Sequence, residues 1–178
     1  MIVTANLLLI TCELHHYTAV MQGNAVLSNL LNAEVPEKWT ESPEMILVAF
    51  DRMKNDPSLA PWFFNFIIHQ KDNRLIGVGG FKDKPSPEGE VEIGYEIIPS
   101  YRDQGYATET ARALIDYAFT HDEVSKVIAH TLSEFDASVR VLQKTGMQFI
   151  QCVPDKEGGV LCRWEMSRAY YENPSIQV

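Results

Sequence analysis

The 178-residue chain has only three cysteines, Cys12, Cys152 and Cys162. That is too few for a disulfide framework, and their spacing is not that of a metal-ligand set, so no metal is expected. Cys152 and Cys162 could meet across a hairpin, but two buried thiols are the simpler reading. A reducing, cytoplasmic setting follows from it. The chain also lacks any run of basic residues, and its net charge is −9. A nucleic-acid partner needs a basic face, so none is expected, whereas an acidic surface attracts cations. No apolar run is long enough to span a membrane, so no membrane partner is expected either. The N-terminal MIVTANLLLI has no basic flank and reads as a strand rather than a signal peptide.

What is present fits one domain over residues 1–178, with a hydrophobic fraction of 46%. Residues 13–33 are helix-prone but broken near Gly23. Ser42-Pro43-Glu44 predicts a helix start, with Ser42 as N-cap and Ile46, Phe50 and Met53 on one face; Asp56-Pro57 ends it. Trp62–Gln70 and Leu75–Lys82 read as strands joined by a turn at Lys71-Asp72-Asn73. Gly77, Gly79 and Gly80 inside the second point to a bulge or a close backbone approach. Val91, Ile93, Tyr95 and Ile97 alternate with Glu92, Gly94 and Glu96, a period-two strand that Pro99 closes. Ala107, Ala111, Leu114, Ile115 and Ala118 then form a continuous helical stripe. Lys126–Thr131 is a strand and Asp136–Lys144 a helix with Val139 and Leu142 facing inward. Gln148–Val153 and Val160–Met166 form a hairpin around Lys156-Glu157-Gly158-Gly159. Strands with inserted helices, without regular βαβ alternation, point to a mixed sheet with helices on its faces.

Between the strand at 91–97 and the helix lies Arg102-Asp103-Gln104-Gly105-Tyr106-Ala107. A turn that delivers glycine to a helix N-terminus leaves backbone N–H groups aimed at solvent, and the helix dipole favours an anion there. Arg102 can assist it. The alternative is a glycine that merely eases a tight turn. The preceding strand and the strong helix after it favour the anion site. Neither a Gly-Lys-Ser/Thr P-loop nor GxGxxG is present.

Arg102, Gly105 and Ala107 fit the (Gln/Arg)-x-x-Gly-x-(Gly/Ala) pattern, and the segment resembles the acetyl-CoA motif of the GNAT N-acetyltransferase superfamily. Glu92-Ile93-Gly94-Tyr95, Tyr101–Glu109 and Ser138–Met147 resemble the RimJ/RimL-like branch. The resemblance spans roughly residues 75–150. It implies an α+β fold with a mixed, mostly antiparallel central sheet flanked by helices. It implies acetyl-CoA as cosubstrate and direct transfer to an amine acceptor by a monomer or homodimer. The pantetheine arm would pair like an added strand along residues 92–98, with Ile97 and Ile98 offering backbone. The pyrophosphate would sit on Gln104, Gly105, Tyr106, Ala107 and Thr108, beside Asp103, and Ser138 would reach the cofactor from the second helix. The chain departs from the branch at Phe135, where asparagine is usual, and at Leu142, where many members carry a tyrosine general acid. Met147 replaces a phenylalanine.

An amine must lose its proton to attack a thioester, and a lysine-type amine has a pKa of about 10.4. A base near it is therefore useful. Glu92, Glu96 and His130 are the candidates, set against a solvated strand face for the glutamates and a structural role for the histidine. Tyr95 could protonate the leaving thiolate, set against core packing. Glu109 in the first helical turn fits dipole pairing, and Tyr106 either packs near the cofactor or is a surface aromatic. Trp39 and Trp62 could line an acceptor pocket or simply be buried. Two other outcomes fit the same residues: a CoA-binding sensor without catalysis, and an acyltransferase using a longer acyl group.

Overall fold

The computed structural model describes residues 1–132, 137–155 and 159–175. The N-terminal strand expected over residues 1–10 is two strands, β1 (Ile2–Val3) and β2 (Leu7–Thr11), paired antiparallel. The Thr4 hydroxyl accepts the Leu7 N–H at 3.0 Å, which turns the chain back on itself. Helices α1 (Leu14–Gln22) and α2 (Asn24–Leu31) meet at Gly23, where the break was expected. Helix α3 (Glu44–Asn55) starts one residue later than expected. Pro43 occupies the cap position, and Ser42 contributes its carbonyl to the Met45 N–H rather than its hydroxyl.

Strands β3 (Phe64–His69), β4 (Arg74–Phe81) and β5 (Glu90–Ile97) follow as antiparallel neighbours. Helix α4 (Tyr106–Phe119), β6 (Lys126–Thr131), α5 (Ala137–Thr145), β7 (Gln148–Pro154), β8 (Val160–Ser167) and α6 (Arg168–Glu172) complete the chain. The sheet order is β1-β2-β3-β4-β5-β6-β8-β7. Every pair is antiparallel except β5–β6. The expected bulge lies between β3 and β4, where the register shifts at Ile67/Ile68 opposite Gly77. The close approach is there too: a Cβ on Gly77 would fall 2.0 Å from the Glu96 carbonyl oxygen, and one on Gly80 would fall 1.8 Å from that of Phe63.

Two apolar clusters cover the two faces of the sheet. Helix α4 puts Ala111, Leu114, Ile115 and Ala118 against Ile76, Val91, Ile93 and Val127. On the other face α1–α3 bring Tyr17, Leu27, Ile46 and Met53 against Phe66, Ile68, Leu75 and Val78. Burying such side chains contributes about 1.5–3 kcal/mol each, so both helix layers are fixed to the sheet.

The parallel pair positions the site. Glu90, Val91 and Glu92 pair with Lys126, Val127 and Ile128, and no pairing joins the two strands beyond that. The last five residues of β5 therefore run beside an opening in the middle of the sheet.

Cys152 and Cys162 are directly opposed on β7 and β8 and form a disulfide, which corrects the reading of two thiols. The antiparallel register decided it, and the sequence separation of 10 did not. The bridge removes the cysteine-based argument for a reducing compartment. Cys12 is a buried free thiol whose pKa burial pushes up. Among the described residues no helix is long and apolar enough to cross a membrane. Phe135, and Lys156–Gly158 of the expected hairpin turn, lie outside the described residues.

Candidate active site

The alternation of β5 sets which backbone groups face the opening. The Glu92 carbonyl accepts from the Lys82 N–H at 2.9 Å, and the Ile98 N–H donates to the Ile76 carbonyl at 2.8 Å. Both point into the sheet. Ile93, Tyr95 and Ile97, on the alternate positions, direct their backbone groups to the β6 side of the strand. This corrects the expectation of an open edge at Ile98. At Ile97 the carbonyl already accepts from Arg102 Nε at 2.8 Å.

The turn after β5 is left-handed at two residues, Asp103 (φ 59°) and Gly105 (φ 89°). Gly105 is the N-cap of α4, and among the described residues no side chain caps that end. The first intrahelical bond runs from the Glu109 N–H to the Gly105 carbonyl at 3.0 Å. The N–H groups of Tyr106, Ala107 and Thr108 are thus without intrahelical acceptors. A Cβ on Gly105 would meet nothing within 4 Å, so conformation rather than space demands glycine there. Gln104 donates to the Ser100 carbonyl at 3.2 Å.

Turn, open edge and α5 together enclose a cleft of about 620 Å³. Tyr95, Glu96, Ile97, Arg102, Asp103, Gly105, Tyr106, Ala107, Thr108 and the half-buried Ser138 all line it, so it gathers most of the residues singled out from sequence. Two lining cations were missed, Arg140 and Lys144. Their spacing of four on α5 puts them on one face with Ala137 and Val141, and that spacing was the available signal. The Arg102 guanidinium is committed: it bonds Glu41 Oε1 as well as the Ile97 carbonyl. It therefore ties the loop before α3 to the end of β5.

A second cavity of about 360 Å³ lies on the α3 face of the sheet. It is lined by residues of α3, β4 and β5, and the two cavities share Tyr95 and Glu96. Both carboxylate oxygens of Glu96 face the Glu41 N–H, at 3.2 and 3.3 Å.

Glu92 and His130 are brought together. His130 Nδ1 is 2.9 Å from Glu92 Oε1, and Lys82 Nζ bonds the same oxygen. Neither Glu92 nor His130 lines either cavity. The Tyr106 hydroxyl is 3.0 Å from Nε2 of the buried His69, whose Nδ1 is 2.9 Å from Asp72 Oδ2; Tyr101 donates to that oxygen at 2.7 Å. The Tyr101 bond holds the Asp72 carboxyl below its ordinary range. Burial and Asp72 push the Tyr101 phenol up to about 12. Tyr106 is therefore anchored rather than a loose surface aromatic. Glu109 does more than face the dipole: it accepts from the Thr4 hydroxyl at 2.6 Å, the Asn6 N–H at 2.7 Å and Asn6 Nδ2 at 3.0 Å. Partial burial works to raise its pKa, but these bonds outweigh it and hold it low. Trp62 is core, packed on Phe81 and Tyr117. Trp39 is buried and lines a separate cavity with Ile46 and Ile98. Leu142 is buried in the α4 cluster, away from any proton-transfer role.

A family model described as an acetyltransferase (GNAT) domain matches residues 7–148. The chain belongs to the GNAT acetyltransferase family. It is 31% identical over 120 residues to the uncharacterized N-acetyltransferase YjdG of Bacillus subtilis, covering 65% of this chain and 70% of YjdG. Among solved structures it is similar to RimL, a ribosomal L7/L12 alpha-N-protein acetyltransferase, in complex with coenzyme A. The TM-score is 0.68 with 17% identity, over 93% of this chain and 96% of that one. The dodecameric spermidine N-acetyltransferase of Vibrio cholerae gives 0.68 and 18%, over 97% and 100%. At these identities the structures establish the fold, a GNAT sheet flanked by helices, as the sequence implied. As a GNAT acetyltransferase the protein is an acyltransferase, and the family uses acetyl-CoA.

Proposed function

We propose that this GNAT protein moves the acetyl group of acetyl-CoA directly to a primary amine, on a protein N-terminus or a small molecule, and that it belongs to the RimJ/RimL-like branch. The observation that carries the reading is the wall common to the two cavities, Tyr95 and Glu96. One cavity is suited to the donor and the other to the acceptor, and they meet there.

The donor cleft fits a CoA-type ligand on three counts. The uncapped first turn of α4 offers N–H groups to a pyrophosphate. Arg140 and Lys144 line the cleft as cations. The stretch of β5 beyond Glu92, where pairing with β6 stops, lies along the cleft and can align with an amide-bearing arm. Acetyl-CoA, when bound, supplies a thioester carbon to which the amine nitrogen bonds as the C–S bond breaks, releasing the CoA thiolate and one amine proton.

Glu96 is placed to take that proton, directly or through a water, because its carboxylate lies at the shared wall. The Glu92–His130 pair sits on the same strand face as Glu96, four residues back, as a second proton acceptor. Thiol detection of CoA release across a panel of amines tests the reading. Release above the amine-free rate is expected; none with any amine overturns it.

A further inference from the structure

Resting on the acetyltransferase reading, we infer that the acceptor is a primary amine carried on an apolar body, with no second positive charge. The cavity on the α3 face is walled by Met45, Ile46, Ala49, Phe64, Val78 and Phe81. Its volume, about 360 Å³, falls in the range of small-ligand sites, roughly 300–1,000 Å³. Gly94 forms part of its floor, and a Cβ there would meet nothing within 4 Å. Room for the acceptor is thus provided where β5 lacks a side chain.

The charges in this cavity argue for a single amine. Among the described residues lining it, Glu96 is the one carboxylate. It accepts from a neutral backbone N–H, and no cation pairs with it among the described residues. It is therefore available to an ammonium group, and it lies at the wall shared with the donor cleft. The other two charged lining residues are cations already engaged. Arg52 donates to Asp83 at 2.6 Å and to the Lys82 carbonyl at 3.0 Å, and it lies over the Phe63 ring at 4.8 Å. Lys82 is paired with Glu92.

A bound monoamine has one arrangement: nitrogen at Glu96, apolar body against α3. A polyamine would carry a second cation into an apolar wall, where an unpaired charge is costly, and towards Arg52 and Lys82, which repel it. The same chemistry is met in a free aryl-alkyl amine and in a peptide whose first residue is large and apolar.

The test measures kcat/KM by CoA release with 2-phenylethylamine, ethylamine, spermidine, and the dipeptides Phe-Ala and Asp-Ala. We expect 2-phenylethylamine to exceed both ethylamine and spermidine by about tenfold or more, the scale at which an apolar pocket discriminates. Phe-Ala above Asp-Ala and above 2-phenylethylamine identifies a peptide source; the reverse identifies a free amine. Gly94→Leu fills the floor and should erase the preference for 2-phenylethylamine over ethylamine. Met45→Trp, on the α3 wall, gives the same test if Gly94→Leu does not fold. Turnover led by spermidine or ethylamine, or a preference unmoved by both substitutions, overturns the inference and leaves the acetyltransferase reading standing. No CoA release with any amine overturns both.

Discussion

Glu92 and His130, on the two strands of the parallel pair, have Oε1 and Nδ1 2.9 Å apart. Lys82 holds the same carboxylate oxygen, so this pair is a three-membered polar cluster at the base of the opening in the sheet. Glu96, on the same face of β5, accepts only a backbone N–H among the described residues and lines both cavities.

That difference separates the base candidates. Glu96→Gln is expected to lower kcat/KM for an amine by about 10²–10⁴-fold, the usual size of a general-base contribution. Glu92→Gln and His130→Ala are expected to lower it less than about tenfold. Initial rates of CoA release across pH settle the order; a larger loss at Glu92 would assign the base to the Glu92–His130 pair.

Gly105→Ala should weaken the donor site through the backbone. Its φ of 89° is unfavourable for alanine by about 1–2 kcal/mol, although the methyl has open space around it. A 178-residue domain should then lose about 2–4 °C in Tm per kcal/mol. If the first turn of α4 shifts, KM for acetyl-CoA rises. A stability loss without any change in KM would separate the turn from cofactor binding.

Arg140 and Lys144 should act by charge. Replacing each with alanine removes about 0.2–1 kcal/mol of exposed ion pairing, which raises KM for acetyl-CoA up to about fivefold per residue. The effect should shrink between low salt and 0.5 M NaCl, because screening shortens the range of exposed charges. A salt-independent change would point to packing instead.

Glu109 predicts a pH dependence of stability. Its folded-state pKa is lowered, so its contribution is present above the unfolded value near 4.3 and is lost as pH falls through the folded value. Glu109→Ala should cost about 1.5–3 kcal/mol at pH 7, the range for hydrogen bonds to a charged group. The gap in Tm between the two proteins should close below about pH 4. A gap that persists in acid would mean that the contribution is packing.

The Cys152–Cys162 bridge closes a loop of sequence separation 10, for which loop-closure entropy gives about 2–3 kcal/mol. Thermal melts with and without reductant should differ, and Cys152→Ser should remove that difference.

Much of the fold was legible because local patterns coincide with it. The alternation over 91–97 and the Ala107–Ala118 stripe each bury one face in the same core cluster, so periodicity alone locates β5 and α4. The break at Gly23 and the end at Asp56 are backbone chemistry written in one or two residues. Thr4 splitting the first strand, the disulfide and the Glu92–His130 contact were not legible. The last two join residues through sheet register, which no local pattern encodes, whereas the Thr4 turn rests on one hydroxyl bond to Leu7 within an otherwise apolar segment.

By itself the sequence determined the proposed donor side: a strand, a left-handed glycine and a helix start fall in consecutive residues. Only the tertiary structure decided the rest. The β5–β6 pairing stops at Glu92, α3 folds back over Gly94, and Glu96 thereby comes to divide two cavities. The proposed acceptor side is assembled from α3, β4 and β5, separate segments of the chain, so its shape and charge exist only once the sheet has formed.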